Sequence, residues 1–144
     1  MHTPILSAVI ALVLWTFVMW FWLYATRIPA IVKGKIKFDP YRPVSEFLDK
    51  IPPSARWKAD NYNHLHEQPT VFYAVAIMLA LLGAGGGLNA TLAWVYVGLR
   101  VMHSLVQALV NKVEVRFAVF VAASIVLMIL AVRAALILFG GPSA

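Results

Sequence analysis

Leu92 to Val110 reads LAWVYVGLRVMHSLVQALV. A hydrocarbon core of roughly 30 Å takes about 20 helical residues to cross, so this run is a membrane-spanning candidate. It nevertheless carries Arg100, His103 and Gln107, and Asn111 and Glu114 follow at spacings of four and three. Residues three and four apart share one face of a helix, so the five form one polar stripe, with Ser104 beside it. The opposite face is Val, Leu and Ala. A charge at membrane depth costs roughly 2.5–3.5 kcal/mol on insertion scales. The stripe is therefore predicted to face protein or a wet cavity, which requires further helices around it.

The rest of the chain supplies them. Apolar stretches predict spans over about 4–25, 54–82, 91–111 and 116–139, and the second needs the polar turns before Pro69 to reach full length. Strand alternation, the mark of an outer-membrane barrel, is absent. Hydrophobic residues make up 62% of the 144 and charged residues 12%. Soluble domains run at roughly 45–50% apolar and about 25% charged. Composition thus excludes a soluble, a disordered and a disulfide-framework chain and leaves a single integral membrane domain over 1–144, all-α with four spans. The chain has no cysteine, so it can hold no thiolate metal site and no cysteine nucleophile.

Charge orients the spans. Eight of the twelve basic residues fall between 27 and 58, none lies in the Gly83–Thr91 connection, and Lys112 and Arg116 flank the last one. The positive-inside rule places the 27–58 loop in the cytoplasm and both termini outside. The start Met1-His2-Thr3-Pro4 lacks the cations of a signal peptide, and its apolar run is too long for one. Trp15, Trp20, Trp22 and Tyr24 read as an interfacial aromatic belt. The expected setting is a bacterial inner membrane. The basic surplus fits anionic headgroups and gives no reason to invoke nucleic acid. Gly83-Ala84-Gly85-Gly86-Gly87 lacks the Gly-Lys-Ser/Thr ending of a phosphate loop and predicts a tight turn, with Asn89 as a cap. Arg133 is expected to snorkel.

The second span is predicted to start at Pro52-Pro53-Ser54, with Ser54 as N-cap, and to kink at Pro69. Asp60, His64 and Glu67 share a face, with Asn63 at its edge. Counted from the outer turn, Glu67 lies level with Gln107 and close to His103, whereas Arg100 lies roughly 10 Å further out. Glu67 is still the acid expected to reach Arg100, directly or through a water, since no other acid in the spans is available to it. His66-Glu67-Gln68-Pro69-Thr70 is not a His-Glu-x-x-His motif. A site of His64, Glu67 and His103 ranks behind hydrogen bonding of buried polar groups, so no metal is assigned. Arg116, opening the fourth span, is either a boundary cation on lipid phosphate or a guanidinium aimed into a pocket to hold an anion such as a thiolate.

Asn63…Glu67-Gln68-Pro69…Phe72, Arg100-Val101-Met102-His103 and Arg116, set in four spans from Leu6 to Phe139, resemble the MAPEG superfamily. These are membrane-associated proteins in eicosanoid and glutathione metabolism, microsomal glutathione transferases among them. The resemblance implies that the four spans form an antiparallel four-helix bundle, assembled as a homotrimer with glutathione as cosubstrate, bound between subunits and open to the cytoplasmic side. It also implies a lipophilic substrate arriving from the bilayer, and it gives Arg116 the thiolate-stabilising role. The family's Arg-x-x-x-Asn-x-x-Glu, anchored on Glu67, falls here on Asp60 and His64, and Asn63 stands one residue out of place. Arg56 and Lys58 are the cations left to replace the missing arginine. Arg56, Lys58, Asn63, His64, Glu67 and Gln107 are thus the expected glutathione contacts, and Arg100 and His103 match an architectural Arg-x-x-His. The activity implied is transfer to, or peroxide reduction of, lipophilic electrophiles. A non-catalytic protein of the same fold with a degraded glutathione site is the alternative, and a proton or solute path along the stripe comes third.

Overall fold

A computed structural model describes residues 3–140. The described chain is all-helical: α1 Ile5–Lys33, α2 Val44–Leu48, α3 Pro53–His64, α4 Gln68–Leu81, α5 Gly87–Leu109 and α6 Val113–Phe139. Among them α1, α5 and α6 are long and apolar enough to cross a membrane.

Helix α5 is the hub, packing on α1, α3 and α6, while α1 also meets α3 and α4, and α4 meets α6. Helices α1, α4 and α6 each bury one stripe. On α1 it is Ile5, Ala8, Leu12, Met19 and Leu23, on α4 Pro69, Phe72, Ala76 and Leu79, and on α6 Val119, Ala123, Leu127, Leu130 and Ala134. Phe72 stacks on Tyr96 of α5 with ring centroids 4.5 Å apart. The faces turned outward are themselves apolar, as Ile10, Leu14 and Phe21 on α1 and Ile125, Met128 and Val132 on α6 demonstrate. A helix apolar on all sides needs hydrocarbon or protein around it.

Three helices end by one device. Lys35, Gly83 and Asn111 have φ of 50°, 71° and 54°. In the first two, the next residue's N–H reaches back five residues, Ile36 to Ile31 and Ala84 to Leu79, which ends the helix in a Schellman motif. At the end of α5, the Asn111 N–H itself bonds the Val106 carbonyl. Asn tolerates this left-handed conformation and Gly adopts it without strain; Lys35 has neither advantage. The tight turn after α4 packs on the start of α1. Ile5 N–H donates to the Gly85 carbonyl at 2.9 Å, and a Cβ at Gly85 would overlap the Thr3 and Ile5 side chains.

Several boundaries differ from those predicted. Helix α1 runs to Lys33, through Pro29, so Arg27 and Lys33 sit on the helix rather than in a loop. Pro52 and not Ser54 caps α3, with Pro53 in its first turn, where a missing N–H costs nothing. The expected single helix from 54 to 82 is two. At the break Glu67 adopts φ −90°, ψ −99°, and the chain restarts at Gln68. Pro69 cannot donate to the Leu65 carbonyl and its ring crowds that turn. The last amides before the break, on His66 and Glu67, bond three residues back instead of four. The polar stripe is also shorter than its spacing suggests: α5 stops at Leu109, Asn111 lies in the turn, and Glu114 is exposed on α6. Asn89 is not a cap. Its Nδ2 donates to the Ala84 carbonyl at 2.8 Å, and its Oδ1 accepts from Arg133 Nε, so Arg133 is tied to the outer turn instead of snorkelling.

Candidate functional site

The polar side chains of α5 turn inward. Arg100 is 0% exposed, and Tyr96, His103, Ser104 and Gln107 are buried with it. Arg100 Nη2 donates to the main-chain carbonyl of His64 at 3.3 Å. In an unbroken helix that carbonyl would accept from Gln68, so the break presents it to α5. The expected contact of Arg100 with Glu67 is not made. Glu67 is exposed and pairs with His64, Nδ1 to Oε2 at 2.7 Å. Gln107 likewise bonds to Asn61 and not to Glu67, with Asn61 Nδ2 donating to Gln107 Oε1 at 3.0 Å. Further out, Gln68 joins three helices: its Nε2 donates to Ser124 Oγ at 2.7 Å and its Oε1 accepts from Tyr96 at 3.2 Å.

Below this layer opens a crevice of about 210 Å³ lined by His64, His103, Val113, Arg116, Phe117 and Phe120. The rings of His64 and His103 lie 4.9 Å apart, and Phe120 lies 5.7 Å from His64. Arg116 comes from the first turn of α6 and donates through Nη1 to Asn111 Oδ1, while its Nε is buried without a partner among the described residues. The same holds for Arg100 Nε and Nη1, His103 Nδ1, Ser104 Oγ and Asn61 Oδ1. Buried polar groups are nearly always hydrogen-bonded, so this concentration of unmatched donors and acceptors sets the region apart from the apolar packing around it.

Not all the residues read from the sequence converge here. His64, His103 and Arg116 share the crevice, whereas Gln107 and Arg100 lie buried on α5 outside its lining. Asn63 is exposed. Arg56 is paired with Asp49 at 3.2 Å. Lys58 is held against α1, its Nζ donating to the Ser54 carbonyl at 2.7 Å and lying 5.4 Å from the centre of the Trp22 ring. Sequence reading missed Asn61, Gln68, Tyr96, Ser124 and the hold of Asn111 on Arg116. Only Asn111 left a trace, as a helix-terminating residue type just before Lys112.

Over residues 5–136 the chain matches the MAPEG family. The protein belongs to that family, which includes glutathione-dependent transferases and peroxidases, and with its three apolar helices it is an integral membrane protein. No curated protein and no solved structure matches it.

Proposed function

We propose that the protein is a glutathione-dependent transferase or peroxidase acting on lipophilic electrophiles, with the glutathione thiolate held by Arg116. The buried, unpartnered Nε of Arg116 at the edge of the crevice carries this reading. A guanidinium bordering such a space favours the anion over the thiol and lowers the thiol pKa. Val113, Phe117 and Phe120 give the same crevice an apolar wall, and α6 presents apolar side chains outward, so a lipophilic partner can enter from the bilayer. The assembly that goes with this reading is a homotrimer of antiparallel four-helix bundles, α3 and α4 together forming the fourth span. The 27–58 loop is cytoplasmic, both termini lie outside, and the setting is a bacterial inner membrane. Glu67 supports the trimer: an exposed carboxylate beside apolar helix faces is better placed against a neighbouring subunit than against acyl chains.

The second reading is a protein of this fold with a decayed glutathione site. It is favoured by Asp60, exposed where the family motif has a cation, and by the engagement of Arg56 and Lys58 elsewhere. Calorimetry with millimolar glutathione in detergent separates the two. The transferase reading expects heat, and a bound thiol whose pKa rises in Arg116→Ala. Absence of heat selects the second reading.

A further inference from the structure

We infer that His64 is the base that takes the thiol proton in the crevice and that Glu67 is the residue positioning it, an inference that rests on the glutathione reading above. Electrostatic stabilisation by Arg116 needs no proton acceptor to lower a thiol pKa, but the proton must still leave. The His64 ring has one nitrogen, Nδ1, on the carboxylate of Glu67 at 2.7 Å. A carboxylate only accepts, so Nδ1 carries the hydrogen and Nε2 keeps its lone pair. The ring itself lines the crevice that Arg116 borders. A nucleophile site, a base, a group that orients the base and a cation for the resulting anion are thus gathered in one place.

The backbone break makes the arrangement possible. Glu67 leaves helical geometry just after α3 and folds its carboxylate back on the ring three residues earlier. Arg100 fixes the same residue from the other side by holding its carbonyl. The charged and titratable groups facing His64 are His103 and Arg100 on α5, Arg116 on α6, Glu67 in the break and Asp60 one turn back on α3. Glu67 holds the ring in one orientation, which suits a base that accepts a proton and releases it again.

The step balances without a further reagent. The S–H bond of glutathione breaks, its electron pair stays on sulfur beside Arg116, and the proton goes to His64 Nε2. The thiolate then adds to an electron-poor alkene, forming C–S, and the carbanion so made takes the proton back from His64. Activated alkenes carried on an apolar body are therefore the substrate class that this crevice fits, since they use the base twice.

The test is stopped-flow thiolate absorbance on the intact protein in detergent, read beside the equilibrium binding of glutathione. For His64→Ala we expect thiolate formation at saturating glutathione slower by about 10²-fold or more, whatever the change in affinity. Added imidazole should restore the rate in proportion to its unprotonated fraction, which a purely structural defect would not allow. Glu67→Gln should fall between, because the ring keeps its place but loses the carboxylate that orients it. His64→Gln, closer in shape, should be as slow as His64→Ala and guards against misfolding of the smaller variant. A wild-type rate in His64→Gln, or a slow His64→Ala that imidazole does not rescue, overturns the assignment and leaves the glutathione reading standing. Failure of the wild-type protein to bind glutathione overturns both.

Discussion

Arg100 and His64 are joined by the side chain of one and the main chain of the other: a guanidinium fully buried in α5 donates to the carbonyl that the α3–α4 break leaves open. A buried cation is costly unless its donors are matched. Here one donor is matched within the chain and two, Nε and Nη1, are not. Arg100→Leu removes the guanidinium and the tie it makes from α5 to the His64 carbonyl, which costs about 1–3 kcal/mol. We expect the variant to melt at a lower temperature and to weaken the proposed trimer on native gels. Wild-type trimer stability would mean that the unmatched donors have no acceptor on a neighbouring subunit.

Pro69→Ala addresses the break itself. Alanine restores the amide that Pro69 lacks and lets the helix run on through Leu65 to Glu67. That would return the His64 carbonyl to Gln68, take it from Arg100 and reset the geometry of the Glu67–His64 pair. The expected result is a protein at least as helical by circular dichroism, with weaker glutathione binding and slower thiolate formation. Unchanged kinetics would show that the Glu67–His64 pair does not depend on the break.

The parts of this site that could be read from the sequence were those written at helical spacing. Arg100, His103 and Gln107 repeat at three and four residues within an apolar run, and all three are buried. The same rule overreached at Asn111 and Glu114. Their spacing continues the period by coincidence, across a turn that Asn111 makes with a positive φ. Pro69 announced a disturbance, but its depth depends on Arg100, thirty-six positions away from His64 in sequence, taking up the carbonyl. The Asn61–Gln107 and Gln68–Ser124 bonds join residues 46 and 56 apart, and no local period encodes them. Lys58 shows the opposite failure: as a cation it suited glutathione, but packing against Trp22 claimed it.

Asn111 is predicted to position Arg116. Its Oδ1 accepts from Nη1, and its backbone occupies the left-handed region. Asn111→Gly keeps the backbone at no steric cost and removes only the oxygen, so thermal stability should hold while the bound thiol pKa rises part of the way toward that of Arg116→Ala. Asn111→Ala removes the same oxygen but forces a Cβ into a conformation that costs roughly 1–2 kcal/mol, and it should lose stability as well. If the glycine variant binds and ionises glutathione as wild type does, Arg116 is held by its packing alone.

Asp60→Arg tests whether the departure from the family motif weakens the site. Glutathione carries net negative charge, and Asp60 is exposed on α3 one turn before His64. Two unit charges about 4 Å apart interact by about 1 kcal/mol in water and more near a protein surface, so replacing repulsion by attraction should tighten binding about tenfold or more. The gain should shrink as salt rises, because an exposed pair is screened. An affinity that does not move, at low salt and in a variant that keeps its melting temperature, would place the carboxylates of glutathione away from α3. The decayed-site reading would then lose the residue that best supports it.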